Sequence, residues 1–448
     1  MAQSESTSIR RALHRIFPRH FLRALAREAG AVQRQRRVRA EALFWTLVLG
    51  FGVGRERTIA GLRRVYQKTT GQEIEESSFY DRFNGGLAEM LKRAGAHGLQ
   101  TCLGVNRALR GHLDQFRDVI LTDATVVRLH ELLADVYPAC RTNHTKAALK
   151  AHAVISVRGV GRQSVKITSE REHDGPVFKV GPWVKGHLLM FDLGYFKYGL
   201  FARIQEQGGY FISRLKQSAN PTVVVTNVRH RGRAIAVEGE RLHDIIGRMK
   251  RGVLDVTAEF PFKRRVYGGK RRGDRMELRV VGLRDEETGE YHLYVTNVPV
   301  EKLTAEDVGA TYALRWEIEL LFKELKSHYR MEDLPSKKVA VVECLLHAAI
   351  VTLVVSRQLL NYVRRKLGEL GERVPTQRWA AVVESVAQEL LVLAIRPPRE
   401  LPSIEPRVIR TLLHEAVDPN AGRLRLLARV ENGRIAHAAK PRLIPVSA

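Results

Sequence analysis

Cysteine is scarce in this sequence: Cys102, Cys140 and Cys344 are the only three among 448 residues. No pair of them makes a Cys-x2-Cys unit, which argues against a zinc finger and against a disulfide framework. His130, Cys140, His144 and His152 follow one another at spacings that suit no metal site. Acidic side chains are also few, 48 against 74 Lys plus Arg, leaving a formal charge of +26. An excess of that size repels itself in a compact chain and points to a polyanionic partner. An anionic membrane surface would require a lipid-facing element, and no run of roughly 20 apolar residues is expected to supply one. Nucleic acid is therefore the expected partner. The opening Met1-Ala-Gln-Ser-Glu-Ser6 lacks the basic-then-apolar order of a secretory signal, so a reducing cytoplasm is expected. Hydrophobic residues still reach 44%, enough for a sizeable core and too many for a disordered polymer.

What is present changes along the chain. Residues 1–115 read as helical and as a DNA-binding region. Thr58 to Lys68 predicts a short amphipathic helix closed by Gly71, and Ser77 or Ser78 then caps a second one carrying Phe79, Tyr80, Arg82 and Phe83. That helix, turn and basic-aromatic helix over 58–84 fits a helix-turn-helix, with Arg82 a candidate DNA contact, and equally fits two ordinary packed helices. Arg34, Arg36, Arg37 and Arg39 are candidate phosphate contacts upstream.

From 116 to 216 the pattern turns to strands: Asp118–Val127, Ala151–Val157, Ser164–Thr168, His187–Leu193 and Tyr210–Leu215, with a helix from Tyr198 to Gln207. Strands broken by a helix indicate an α/β sheet. Residues 217–300 alternate with period two and read as a β-rich insertion with two basic loops, Arg229–Arg233 and Lys263–Arg272. The α/β core resumes over 301–365. The helical region and tail of 366–448 are broken by Pro397-Pro398 and read as peripheral beyond them.

The chemistry concentrates on a helix predicted over Thr304–Arg330, with Thr304 as its cap. At the helical repeat, Tyr312, Arg315, Glu319 and Lys326 fall within an arc of roughly 60°. Leu314, Ile318, Leu321, Phe322 and Leu325 fill a neighbouring apolar arc. Arg315 with Glu319 is equally a plain salt bridge one turn apart. Two further carboxylates are harder to dismiss. Asp123 interrupts the apolar run Ile120–Val127, and Asp192 ends Leu188-Leu-Met-Phe191. An aspartate is disfavoured inside a strand, and its buried charge needs a cation or several donors. A divalent metal held by Asp123, Asp192 and Glu319 would meet that need, and Mg2+ prefers such oxygens in phosphoryl transfer.

Tyr312-Ala-Leu-Arg315-Trp-Glu-Ile-Glu319, followed by Lys326, resembles the Tyr-x2-Arg-x3-Glu-x6-Lys signature of bacterial DDE transposases of the insertion-sequence-four family. Leu121-Thr-Asp-Ala-Thr125, Phe191-Asp-Leu-Gly-Tyr-Phe196 and Tyr291–Asn297 are similar to the family's contexts. Leu193 departs from it, since many relatives carry Arg there. The likeness covers about 115–365.

This resemblance implies an RNase H-like mixed sheet flanked by helices and interrupted by the β-rich insertion. It assigns metal binding to Asp123, Asp192 and Glu319, with Mg2+ as cofactor and Mn2+ able to substitute. It gives Tyr312, Arg315 and Lys326 the terminal phosphate, and Lys323 on the same helix joins them as a candidate DNA contact. The activity implied is cleavage at the ends of an insertion sequence and joining of the freed 3′ hydroxyls to target DNA, by a nucleoid-associated homodimer. Two alternatives stay open: an RNase H-like nuclease without strand transfer, and an inactive DNA-binding repressor derived from a transposase.

Overall fold

The computed structural model describes residues 8–32, 38–54, 56–101, 109–140, 145–159, 161–230, 233–234, 236–264, 273–400, 403–420 and 426–431. The β-branched and apolar runs after residue 118 become strands, and nine of these form one sheet. They are β1 (Val119–Leu129), β2 (Ala147–Ser156), β3 (Ser164–Ser169), β4 (Leu188–Phe191), β5 (Tyr210–Arg214), β6 (Thr222–Thr226), β7 (Val253–Lys263), β8 (Gly273–Arg284) and β9 (Tyr291–Thr296). Their order is β3-β2-β1-β4-β5-β9-β8-β7-β6. β1, β4 and β5 run parallel, and the other pairings are antiparallel.

The strands of the 217–300 stretch, β6 to β9, lengthen the core sheet. β9 pairs with β5 on one side and β8 on the other, so it satisfies the backbone edge that β5 would otherwise expose. Of the two basic loops, 231–232 and 265–272 lie outside the described residues, as do Arg34, Arg36 and Arg37 of the upstream run.

Each face of the sheet has its own core. Leu121, Leu188, Met190 and Ile212 pack toward the helical parts of the chain, while Leu189, Phe191, Phe211 and Leu254 pack on the other side with the helix Tyr198–Glu206. There Phe201 stacks on Phe211 with ring centroids 4.2 Å apart. The helix Val339–Leu367 runs through the first core. Its length and apolarity would allow a membrane crossing, which corrects the expectation that no such run exists. The run was hidden by a few polar residues, and 78% of its most apolar window is buried inside the protein, the placement of a core helix.

The helix expected from Thr58 is present as Ile59–Thr70. Thr58 caps it by accepting from Gly61 N, and Gly71 closes it at φ 71°. The second helix is different. It spans only Glu76–Tyr80, so Ser77 and Ser78 lie within it and cap nothing, and Arg82 falls in the turn beyond. Phe79 and Phe83 are buried beside Tyr66 and each other, which turns this short helix into the core. Beyond Pro397-Pro398, Ile404–Glu415 buries Val408 and Leu412 against the helices Ala387–Ile395 and Val339–Leu367. That segment is part of the core, a correction to the peripheral tail expected from sequence.

Candidate active site

Strand register brings the two aspartates together. Thr122 of β1 is the Cα partner of Phe191 in β4, so the next residues in these parallel strands, Asp123 and Asp192, stand side by side. They lie on the sheet face that carries Leu121 and Met190 toward the helices. Asp123 is in mid-strand, and Asp192 follows β4 at the start of a short 3-10 turn, Leu193–Tyr195.

The third carboxylate arrives on a helical segment whose hydrogen bonding changes along its length. Thr304 starts it with a reciprocal capping box to Asp307. Ala305–Tyr312 is α-helical, Ala313–Arg315 tightens to a 3-10 turn, Trp316–Lys323 is α-helical again, and Glu324–His328 widens to a π turn. Leu314, Ile318, Leu321, Phe322 and Leu325 are all buried, as the apolar arc requires.

The polar stripe meets the sheet at the aspartates. Arg315 Nη1 donates to Asp123 Oδ2 at 3.2 Å, and its Nη2 donates to Glu319 Oε1. One guanidinium thus joins a strand carboxylate to a helix carboxylate. Lys326 Nζ donates to the Val126 carbonyl of β1 at 2.9 Å and pairs with Glu332 at 2.7 Å. Tyr312 is buried, and its hydroxyl donates to the carbonyl of Phe191 at 3.2 Å. It therefore grips the strand end from which Asp192 emerges. Lys323 is exposed on the same helix. Arg82, in the turn after the short helix, makes no recorded contact with any of these residues, so the structure does not gather it into the group.

Burial pushes the Asp123 carboxyl up to about 6, and the nearby Asp192 and Glu319 charges push the same way against the Ala124 amide and Arg315. Burial also raises the Tyr312 hydroxyl, which keeps its proton for the Phe191 carbonyl. Among the described residues no three acidic, histidine or cysteine side chains are already drawn to a common point. Here Arg315 supplies the positive charge between Asp123 and Glu319. The donor set is nonetheless the one a hard divalent cation takes: carboxylate oxygens, with one carboxyl held above its ordinary pKa by crowding and burial. His152 stays out of this group, hydrogen-bonded to Thr168 at 2.9 Å, and Cys140 is exposed elsewhere; His144 lies outside the described residues.

Sequence reading missed Arg214. It ends β5, where Ser213 is the partner of Phe191, so Arg214 stands beside Asp192 on the same face. An arginine closing the apolar run Tyr210–Ser213 was the available signal, of the same kind that marked Asp192.

Residues 114–355, more than half of the chain, match the family model described as "Transposase DDE domain". The chain belongs to the DDE transposase family. It is similar to the transposase for insertion sequence element IS231E of Bacillus thuringiensis subsp. finitimus, at 24% identity over 83% of this chain and 84% of that one. It is also similar to the transposase for insertion sequence element IS1151 of Clostridium perfringens, at 22% identity over 70% of this chain and 72% of the relative. A solved piggyBac transposase synaptic complex with hairpin DNA aligns at a TM-score of 0.47 and 8% identity, over 93% of this chain and 87% of that chain.

Proposed function

We propose that this DDE transposase cleaves DNA at the ends of an insertion sequence and joins the freed 3′ hydroxyls to target DNA. The observation that carries the reading is the meeting of Asp123 and Asp192, on neighbouring parallel strands, with Glu319, through Arg315. The sheet supports it too: three antiparallel strands followed by two parallel ones, with the first acid on the central β1, is the arrangement of an RNase H-like core.

Asp123, Asp192 and Glu319 are assigned to hold Mg2+, or Mn2+ in its place. A pair of such ions would polarise the phosphoryl oxygens and favour ionisation of the attacking water or hydroxyl. The chain's own contribution is binding and orientation. Arg315 has a planar fork that matches a phosphate with two parallel hydrogen bonds, and Lys326 adds a point charge further along β1, beside Val126. Lys323 offers a second cation at the rim. Tyr312 fixes the backbone before Asp192. Arg82 and the rest of the N-terminal helical region are assigned to the flanking duplex, and a homodimer to the pairing of two ends. The enzyme would act on DNA in the cytoplasm, at the nucleoid.

The test uses the inverted repeats that flank the gene as substrate, with Mg2+, comparing the native chain with Asp192→Asn. Cleavage and joining by the native chain, with DNA binding but no cleavage by the variant, is the expected result. Cleavage without joining would replace this reading with a nuclease. Binding with no cleavage by either chain would replace it with a repressor.

A further inference from the structure

Among the described residues, Arg214 is the cation that continuing the β4–β5 register by one position beyond Phe191 and Ser213 sets beside Asp192. Asp123 on β1, Asp192 after β4 and Arg214 on β5 make a row across three parallel strands, on a single face. Tyr294 of β9 is the partner of Arg214, and its ring lies 5.2 Å from that of Tyr312, so the row reaches the Tyr312 side of the site. Both Arg214 and Asp192 lie close enough to shift the Tyr312 hydroxyl, in opposite senses.

No described carboxylate forms an ion pair with Arg214; its recorded side-chain contact is Nη2 to His292 Nδ1, at 3.3 Å. A guanidinium only donates, so His292 Nδ1 accepts and its ring proton sits on Nε2. That nitrogen faces Asp285 Oδ2 at 3.7 Å. Asp285 is fixed in turn, because its Oδ1 accepts from the amides of Glu287 and Thr288, both at 2.9 Å, in the turn joining β8 to β9. The result is a chain from turn to imidazole to guanidinium. It holds a part-buried arginine at the acidic row without neutralising it.

We propose that Arg214 is a further phosphate-binding residue of the site, and that His292, set by Asp285, is its positioning residue. This rests on the DNA-processing reading above. The class of ligand is a backbone phosphate of the DNA lying along the row, since a fork with free donors beside two acids suits an oxyanion shared with a cation. The β-rich insertion then has a part in the site: through β9 it aims a cation contributed by the core strand β5.

The test measures binding of a short DNA duplex by the full chain across a salt series, with thermal unfolding as a check on folding. The native chain is expected to bind with affinity that falls linearly as salt rises on logarithmic axes. Arg214→Ala should lower the slope by about 0.9, the value of one lost phosphate contact, and weaken binding by about tenfold or more. His292→Phe should weaken binding part of the way, and His292→Asn, which keeps an acceptor near the Nδ1 position, should restore it. The double variant Arg214→Ala with His292→Phe should bind no worse than Arg214→Ala alone. Should Arg214→Ala lose its fold, Arg214→Lys keeps the charge without the fork and is expected to retain the slope but bind more weakly. An unchanged slope and affinity in Arg214→Ala, against a native chain that binds, would overturn this inference alone. A native chain that binds no duplex would overturn it together with the DNA-processing reading.

Discussion

Arg315 Nη1 stands 3.2 Å from Asp123 Oδ2, across 192 positions of sequence. Its other terminal nitrogen holds Glu319, so among the described residues this guanidinium alone is hydrogen-bonded to two of the three candidate site carboxylates. Replacing Arg315 with Ala should leave Asp123 and Glu319 facing each other unscreened. Loss of one partner from a half-buried pair costs about 1–3 kcal/mol. Urea unfolding at neutral pH and low salt checks this, and no change in midpoint would show that solvent already screens the pair.

The pH dependence of stability follows from Asp123. Its carboxyl titrates near 6 in the folded chain against an ordinary 3.8, because burial and two neighbouring carboxylates favour the protonated form. The folded state therefore binds this proton more tightly than the unfolded state does. The associated stability is complete below pH 4 and is lost as pH rises through 6, an effect of up to about 3 kcal/mol. Asp123→Asn should be more stable than the native chain at pH 7 and no more stable at pH 3.5. Chemical denaturation at the two pH values decides, and a variant less stable at pH 7 would contradict the sign.

Arg279 and Asp255 form a buried ion pair in the insertion, with guanidinium to carboxylate distances of 2.9 and 2.5 Å. Arg279 also donates to the carbonyls of Val298 and Leu303, at 3.2 and 2.7 Å, just before the helix that brings Glu319. Arg279→Leu should cost about 3–5 kcal/mol, since it strands Asp255 without its partner. The double variant with Asp255→Leu should cost less than the sum of the two single changes. An additive result in denaturant titration would mean that the pair is not coupled.

Glu324 is fully buried in the π turn and is the hub of a polar network. It accepts from Tyr329 at 2.7 Å and from Arg357 at 2.5 Å, and Tyr329 continues to Ser356, which accepts from Trp379 at 2.9 Å. Glu324→Leu should destabilise the chain by about 3 kcal/mol or more, because it leaves Arg357 without its carboxylate and Tyr329 with Ser356 alone. Two residues along the same turn lies Lys326, so the variant should also weaken DNA binding at temperatures where it remains folded. Binding at native strength under those conditions would separate the turn from the placement of Lys326.

Much of the candidate site was legible because each of its carboxylates breaks a local rule. Asp123 and Asp192 lie in or beside apolar strands, and Glu319 marks the polar edge of an apolar helix. The parallel β1–β4 pairing is a long-range fact that period and propensity do not carry, and it is what sets the two aspartates abreast. Local pattern misread the Glu76–Tyr80 helix, since Ser77 and Ser78 look like caps but Glu75 begins the turn, and Phe79 is drawn into the core by Tyr66. It also missed the docking of Ile404–Glu415, where Pro397-Pro398 breaks the helix but not the packing. Within the insertion the alternation was clear, yet whether its strands would pair with each other alone or with β5 is decided by an edge that sequence does not display. Arg214 was hidden for the same reason, being informative only once β5 lies beside β4.

Iron-directed cleavage of the polypeptide would test most directly the claim that these three carboxylates serve one metal-binding centre. Fe2+ is bound in place of Mg2+ in the presence of DNA, ascorbate and peroxide generate radicals at the metal, and the fragments are sized. Breaks near residues 123, 192 and 319 together, all suppressed by excess Mg2+ and by Asp192→Asn, are expected. Breaks confined to one of those positions, or unchanged in Asp192→Asn, would contradict a shared centre.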